Sequence, residues 1–244
     1  MMMNAPAGTV RVAAIVPAYN EEATLTEVLS VLQSTPAIDE ILVVSDGSTD
    51  RTVEIARSLG LRTIHLRQNQ GKGGAMAIGV AHTDADVLVF VDGDILNLSS
   101  ELMDQLVEPV LSGRSDMNVG IRHRGDLVDF LHRRTGPLLS GIRCLRREVF
   151  EAVPESHLAG FAIETGLNWA CRELGCRITT TVMYNLKHLV KEKKRGLVQG
   201  SVARYRMFAA VFGAFLVLRF NPPGLRSAVA PGPALTPELE YINF

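Results

Sequence analysis

Short apolar runs alternate with segments of helical periodicity along the first half of the chain. Four apolar runs predict buried strands at 12–17, 40–45, 63–66 and 86–91. Between them, apolar residues recur every three or four positions, which predicts helices at 21–33, 49–59, 71–81 and 99–111. Thr49 is predicted to cap the second helix, and Ser99 or Ser100 the fourth. Because strands alternate with helices, the sequence predicts an α/β fold with a mostly parallel central sheet flanked by helices.

The second half of the chain is less regular. Strands are predicted at 117–121, 140–145 and 177–182, and helices at 147–153, 161–174 and 198–219. From residue 221 onward lie five of the eleven prolines, which predicts an extended tail over 221–244. No repeat or shift in composition marks an internal boundary, so a single domain is predicted over 1–220.

Composition is that of a globular protein. Of the 244 residues, 47% are hydrophobic and 21% are charged, which excludes a disordered chain. Cys144, Cys171 and Cys176 lack the spacing of a zinc site or a disulfide framework. The first ten residues do not resemble a signal peptide, so a cytoplasmic location is predicted. A net charge of −1 and a basic run without aromatic residues argue against a nucleic-acid partner.

The net charge hides a division along the chain. Residues 1–110 carry 6 Lys and Arg against 15 Asp and Glu, whereas residues 111–206 carry 17 against 9. One site that uses both acidic and basic residues, such as a site for an anion bridged by a metal, accounts for this division. Two ordinary solvated surfaces account for it equally well.

The longest apolar run covers 207–218, between Arg206 and Arg219. It is too short to cross a hydrocarbon core, which needs about 20 residues. Two interpretations stay open: a helix that is buried or packs in a homodimer, and a helix that rests on a membrane surface. The second would place the protein peripherally at the inner membrane face.

Polar segments that could bind a ligand or a metal follow three of the predicted strands. Asp92-Gly93-Asp94 places two carboxylates where they can share one Mg²⁺ or Mn²⁺. Asp46 would enter the ligand crevice, where it can accept an N–H from a nucleobase. Gly71 and Lys72 open a helix, and the free N–H groups there favour an anion. A second pair of aspartates with the spacing of Asp92 and Asp94, in Asp84-Ala85-Asp86, precedes its strand and is interpreted as a solvated turn.

Four segments together resemble the family-2 glycosyltransferases, which have the Rossmann-like GT-A fold. They are Val16-Pro17-Ala18-Tyr19-Asn20-Glu21-Glu22, Val44-Ser45-Asp46-Gly47-Ser48-Thr49-Asp50-Arg51-Thr52, Asn69-Gln70-Gly71-Lys72-Gly73-Gly74-Ala75 and Val91-Asp92-Gly93-Asp94. Their order and spacing match across about 10–115. The third segment is most similar to those of polyprenyl-phosphate sugar transferases and glucosyl-phosphoglycerate synthases.

The resemblance implies a nucleotide-sugar-binding half at 10–115 and an acceptor-binding half at 116–220. It implies that the nucleoside is held by a set of strand-end residues, namely Pro17, Tyr19, Glu21 or Glu22, and Asp46, with Gly71 and Lys72 nearby. It further implies that Asp92 lies beside the ribose and diphosphate. Asp94 would then act in catalysis as the ligand of Mg²⁺ or Mn²⁺.

The second half resembles the family more loosely. The segment 160–167 is similar to the acceptor side, which implies that Glu164 is a general base or an anchor for an acceptor hydroxyl. The alternative is a carboxylate that only complements its helix dipole. The segment 140–145 resembles the strand below the acceptor and is interpreted as mainly structural.

A basic loop follows the last predicted strand. The resemblance implies that His188 is a further metal ligand, although a lone histidine is commonly structural. It also implies that Lys191, Lys194 and Arg195 bind phosphate, the alternative being a solvated basic face.

The sequence therefore predicts a metal-dependent glycosyltransferase that uses a nucleoside diphosphate sugar, with UDP preferred. The expected acceptor carries a phosphate, either as a polyprenyl phosphate or as a small phosphorylated acid. The alternative is a catalytically silent nucleotide-sugar-binding module, against which the intact pair of Asp92 and Asp94 argues.

Overall fold

The computed structural model describes residues 10–123, 125, 140–158, 162–188, 224 and 239–240. Its strands are β1 (Val12–Ala18), β2 (Glu40–Ser45), β3 (Arg62–Leu66), β4 (Val87–Phe90), β5 (Ile95–Leu96), β6 (Met117–Arg122), β7 (Arg143–Arg146), β8 (Ile178–Met183), β9 (Lys187–His188) and β10 (Leu239–Glu240). Its α-helices are α1 (Leu25–Gln33), α2 (Thr52–Ser58), α3 (Gly71–Ala81), α4 (Ser100–Leu111), α5 (Arg147–Glu151) and α6 (Ile163–Glu173).

The described strands form one large sheet in the order β10-β3-β2-β1-β4-β7-β6-β8 and a small sheet of β5 and β9. Strands β1 to β4 are parallel, β7 runs antiparallel to its neighbours β4 and β6, and β8 is parallel to β6. The strand order reverses at β1, because β2 and β3 lie on one side of it and β4 on the other. Ligands of open α/β sheets bind beyond the carboxyl ends of strands at such a reversal.

Helices cover both faces of the large sheet. On one face, apolar residues of α3, α5 and α6 pack against the strands, as Met76, Phe150 and Leu167 do. On the other face, α1, α2 and α4 contribute residues such as Leu29 and Leu106. The two buried layers cover the faces of the sheet and leave its carboxyl edge to the loops. The predicted α/β architecture is confirmed.

Most helix boundaries agree with the sequence, and two do not. Ser99 caps α4 as predicted, since its Oγ accepts the N–H of Leu102 at 3.3 Å. Thr49 does not cap α2; the carboxylate of Asp50 accepts the N–H of Thr52 at 3.0 Å instead. The first helix begins only at Leu25, because the N–H groups of residues 21 and 22 bond to the side chains of Thr52 and Asp50.

Several predictions lie outside the described residues, including the helix at 198–219 and its apolar run at 207–218. In the predicted tail, β10 pairs with the edge strand β3 in antiparallel fashion. None of the helices in the described part of the chain is long and apolar enough to cross a membrane.

Candidate active site

The loops after β1 and β2 are tied together at the carboxyl edge of the sheet. Asn20 adopts a φ of 55°, which is uncommon for a residue with a side chain. Its side-chain oxygen accepts the N–H of Thr49 at 2.8 Å, and its own N–H bonds to Ser48 Oγ at 3.1 Å. Pro17 lies in β1 and Tyr19 at the rim, 37% exposed. The predicted nucleoside residues of this loop thus lie in or beside a turn that is held by hydrogen bonds to the loop after β2.

Asp46 joins the end of β2 to the start of α3. Its carboxylate is buried and accepts the N–H of Gln70, with 2.6 Å between Oδ1 and N. Burial raises the pKa of Asp46, and the N–H groups of Gln70 and Gly71 oppose this rise. Gly71 itself has a φ of 78°, a left-handed conformation suited to glycine. One oxygen of Asp46 therefore holds the glycine-rich loop in place.

The two adjacent acids after β1 differ in position. Glu21 is buried, and a Cβ built on Gly93 would lie 3.4 Å from its Cβ and Cγ. Glu21 is thus packed against the turn that carries Asp92 and Asp94. Glu22 is exposed, and its carboxylate pairs with Arg51 at 3.2 Å. Of the two, only Glu21 packs against the turn of Asp92 and Asp94.

Lys72 connects the predicted donor side with the predicted acceptor side. Its ammonium nitrogen lies 2.7 Å from Asp92 Oδ1 and 2.9 Å from Glu164 Oε1. The side chains of Lys72 and Glu164 are each 14% exposed, and that of Asp92 is 21% exposed. Burial opposes the charge of Lys72, but the carboxylates of Asp92 and Glu164 raise its pKa above the ordinary value. Lys72 is therefore a fixed cation between two carboxylates.

The start of β7 closes over this cluster, which the sequence did not predict. A Cβ built on Gly141 would lie 2.0 Å from Asp92 Oδ2 and 2.3 Å from Lys72 Nζ. Two residues later, Arg143 is fully buried within the sheet. The sequence signals were a glycine and an arginine inside the strand predicted at 140–145, a segment interpreted as mainly structural.

The turn after β4 and the hairpin β8–β9 meet next to Asp94. In the small sheet, His188 pairs with Ile95, the residue after Asp94. The register therefore brings the two predicted metal ligands to neighbouring positions of the backbone. Among the described residues, no group of three or more His, Cys, Asp or Glu could hold a metal ion. A carboxylate and an imidazole suit Mn²⁺ or Mg²⁺ when phosphate oxygens supply further ligands.

Glu164 lies in the first turn of α6, where a carboxylate also complements the helix dipole. The structure brings Glu164 together with Lys72 and Asp92 in one cluster. The loop before Lys72 is anchored because the N–H of Gln70 donates to the carboxylate of Asp46.

The predicted phosphate-binding residues Lys191, Lys194 and Arg195 lie outside the described residues.

Comparison with known proteins gives a consistent result. The model of glycosyl transferase family 2 matches residues 13–189. Glucosyl-3-phosphoglycerate synthase of Mycobacterium tuberculosis is 33% identical over 111 residues, which cover 42% of this chain and 34% of that protein. The chain thus matches about a third of the length of these curated relatives. Undecaprenyl-phosphate 4-deoxy-4-formamido-L-arabinose transferase of Pseudomonas paraeruginosa is 25% identical, over 92% of this chain and 70% of that protein.

Solved structures agree with this assignment. The crystal structure of the Mycobacterium tuberculosis synthase with Mn²⁺, uridine diphosphate and phosphoglyceric acid is similar with a TM-score of 0.69 and 26% identity. The match covers 84% of this chain and 78% of that chain. A second structure of the synthase, with Mn²⁺, uridine diphosphate and glucosyl-3-phosphoglycerate, has 25% identity and the same TM-score of 0.69 over 87% of this chain and 86% of that chain.

Proposed function

The chain belongs to glycosyl transferase family 2, and we propose that it moves a sugar from a nucleoside diphosphate sugar to an acceptor that carries a phosphate. The observation that carries this proposal is the bridge of Lys72 between Asp92 and Glu164. It joins the end of β4, where the resemblance places the diphosphate, to the start of α6, where it places the acceptor. A transferase needs these two sides within bonding distance of each other.

UDP is the nucleotide that we propose for the donor, because the similar synthase structures contain uridine diphosphate. Tyr19 and Glu21 border the proposed nucleoside crevice, and the buried Asp46 lies at the end of the next strand. One oxygen of Asp46 accepts the N–H of Gln70 and holds the α3 loop, and we propose that the same carboxylate contacts the base. The partial positive charge at the N-terminus of α3 favours the negative charge of a nucleotide.

The residues present fit a bound Mg²⁺ or Mn²⁺. We propose that Asp94 and His188 hold this ion, supported by the pairing of His188 with Ile95. Two protein ligands suffice where the diphosphate of the substrate completes the coordination. When bound, the ion supplies charge neutralisation for the departing diphosphate. Lys191, Lys194 and Arg195 are proposed to add positive charge on the same side.

Transfer forms a bond between an acceptor oxygen and the anomeric carbon. The bond from that carbon to the diphosphate breaks, and the nucleoside diphosphate leaves with the electron pair. If the acceptor offers a hydroxyl, the carboxylate of Glu164 takes its proton, and Lys72 holds that carboxylate in place at 2.9 Å. If the acceptor offers a phosphate oxygen, that oxygen is already anionic, and Glu164 only orients it.

Two acceptors share the required phosphate chemistry, a small phosphorylated acid and a polyprenyl phosphate. The first is supported by the match to the synthase structures, and the second by the 92% coverage of this chain in the undecaprenyl-phosphate transferase. The predicted peripheral membrane contact and homodimer at 207–218 stay proposals, because that segment lies outside the described residues.

The proposal is tested first by ligand-dependent melting. UDP, GDP, ADP and CDP are each added with and without Mn²⁺, since a ligand that binds the native state raises its melting temperature. UDP with Mn²⁺ is expected to give the largest rise. If no nucleotide changes the melting temperature, the proposed donor site is wrong.

Turnover is then measured by mass spectrometry with UDP-glucose. Phosphoglyceric acid in solution and undecaprenyl phosphate in vesicles are offered separately, and the arm that gains a hexose identifies the acceptor. The matched control is Glu164→Gln, which keeps the size of the side chain and removes its charge. Binding of UDP-glucose with neither transfer nor hydrolysis would instead indicate a nucleotide-sugar-binding module.

A further inference from the structure

Arg143 is a buried cation to which the proposed function gives no role in binding the donor or the acceptor. It lies in the middle of the large sheet, where β7 pairs with β4 and β6, and its side chain is fully buried. Burying a guanidinium is costly unless it is paired and hydrogen-bonded. The contacts of Arg143 therefore indicate what its position is for.

Two of these contacts hold Ser140, which precedes β7. Nε and Nη2 of Arg143 both donate to the carbonyl oxygen of Ser140, at 3.0 and 2.8 Å. This pair of hydrogen bonds fixes the turn of Ser140 and Gly141. Gly141 lies so close to Asp92 and Lys72 that no Cβ fits there. A displacement of the turn would therefore change the cover over the Lys72–Asp92 pair.

Another contact reaches the helix that carries Glu164. Nη1 of Arg143 lies 3.3 Å from Oδ1 of Asn168 in α6. Asn168 follows Glu164 by four residues, so the two side chains share one face of the helix. Arg143 thus touches the elements on both sides of the Lys72 bridge.

The charges of the cluster also balance. Burial lowers the pKa of the Arg143 guanidinium, and the negative charges of Glu164 and Asp92 counteract part of that effect. Lys72 bridges the two carboxylates directly, and the buried Arg143 adds a second positive charge to this region.

We propose that Arg143 is a positioning residue, which holds the turn of Ser140 and Gly141 on the donor side and the Glu164 face of α6 on the acceptor side. It does not touch the reacting atoms. It sets the separation between the diphosphate-binding edge of β4 and the residue that orients the acceptor. This inference rests on the proposed transfer reaction and adds a residue to it.

The first test separates donor binding from transfer. In Arg143→Met, UDP with Mn²⁺ is expected to bind within about threefold of the wild-type affinity, because the β1 and β2 loops are intact. The kcat for transfer is expected to fall about 100-fold, the loss typical of a misplaced reacting group. Water should then compete better with the acceptor, so a larger share of UDP-glucose is hydrolysed. Arg143→Lys keeps the charge and should restore part of kcat.

The second test needs no turnover. In the wild type, Lys72 is shielded and held in two ion pairs, so an amine-acylating reagent should modify it slowly compared with the exposed Lys187. In Arg143→Met, the acylation of Lys72 relative to Lys187 should accelerate severalfold, measured by peptide mass spectrometry.

Arg147→Met is the matched control. Arg147 also binds backbone oxygens through its guanidinium, of Ala85 at 2.7 Å and Thr83 at 2.5 Å, but these belong to the loop between α3 and β4. The variant Arg147→Met should lower the melting temperature and leave both the hydrolysed share of UDP-glucose and the acylation of Lys72 unchanged. Equal behaviour of the two methionine variants in these readouts overturns the positioning role.

Asn168→Ala provides a second route if Arg143→Met does not fold. It removes the contact of Arg143 with α6 and keeps the bonds of Arg143 to Ser140, and the same increase in hydrolysis and in Lys72 acylation is expected. Wild-type protein that neither transfers nor hydrolyses the sugar contradicts the proposed function. The acylation comparison then still decides whether Arg143 holds the cluster together.

Discussion

Lys72 donates a hydrogen bond to Glu164, which lies 92 residues further along the chain, with 2.9 Å between Nζ and Oε1. Lys72 is the second residue of α3, and Glu164 is the second residue of α6. The contact thus links two helix starts that reach the carboxyl edge of the sheet from different parts of the chain. Because the same ammonium group also binds Asp92, its removal affects both sides of the proposed reaction.

Lys72→Met is expected to lose at least about 100-fold in transfer rate, because Glu164 is no longer held in place. It should also destabilise the fold by about 1–3 kcal/mol, since two partly buried carboxylates are left facing each other. Urea denaturation and the UDP-glucose assay measure the two effects. The control is Arg62→Met, whose 54% exposed side chain pairs with Glu40 at 2.8 Å. If Lys72→Met and Arg62→Met retain equal activity, the bridge has no role in transfer.

Gly141→Ala is expected to inactivate the protein without unfolding it. The added methyl group would meet Asp92 and Lys72 at 2.0 and 2.3 Å, so the turn or the ion pair must move. Activity should fall about 10–100-fold, and the circular dichroism spectrum should stay unchanged. Gly60→Ala is the matched control, because a Cβ there meets nothing within 4 Å although its φ is 69°. That variant should lose about 1 kcal/mol of stability and keep its activity.

The stability of the fold should depend on Asp116 in a defined pH range. The carboxylate accepts the backbone N–H of Arg177 at 2.8 Å and bonds its guanidinium at 3.1 and 3.2 Å. The hydrogen bonds from Arg177 hold the pKa of Asp116 below its ordinary value. A depressed acid pKa adds stability above the unfolded value of about 3.9, which is lost as the pH falls through the folded value.

Asp116→Asn should therefore cost about 1 kcal/mol at pH 7, a modest value because Arg177 is exposed. The difference from wild type should shrink as the pH falls below about 4, as followed by urea denaturation across pH. A deficit that stays constant down to pH 3 would indicate that packing of the side chain, rather than its charge, is responsible.

Periodicity and turn chemistry were enough to place the framework of the fold. The strands β1 to β4 and the helix α3 follow the predicted pattern, because local hydrophobic spacing determines them. Thr49 and Asp50 illustrate the limit of local reasoning. Both residue types cap helices well, and the structure assigns the bond to Asp50, whose other oxygen accepts the N–H of Glu22. A contact across 28 residues made that choice.

The site could be predicted as a set of residues but not as an arrangement. Lys72 and Asp92 were identified from their motifs and Glu164 from a resemblance, yet no spacing encodes a bridge between positions so far apart. The role of Arg143 was missed because its segment was interpreted as a mainly structural strand. Its contacts with Ser140 and Asn168 depend on how β7 and α6 pack together.

Two pairs of aspartates in this chain have the same spacing, and only one follows a strand. Asp92 and Asp94 come after β4, whereas Asp84 and Asp86 precede it and are exposed. The pairing of β5 with β9 brings His188 next to the first pair only. We therefore expect Asp94→Asn to weaken metal-dependent UDP binding about 10–100-fold, and Asp84→Asn to have no effect. His188→Ala should weaken it in the same direction, because it removes the second proposed ligand.

The measurement is the stabilisation by UDP in the presence and absence of Mn²⁺. At a ligand concentration 100 times the dissociation constant, binding stabilises the native state by about 2.7 kcal/mol. A tenfold loss of affinity removes about 1.4 kcal/mol of this, which is a readily measured shift in melting temperature. Without Mn²⁺, wild type and Asp94→Asn should behave alike. If Asp94→Asn keeps the full stabilisation with Mn²⁺, the ion is not bound at Asp94, and the division of roles between Asp92 and Asp94 is wrong.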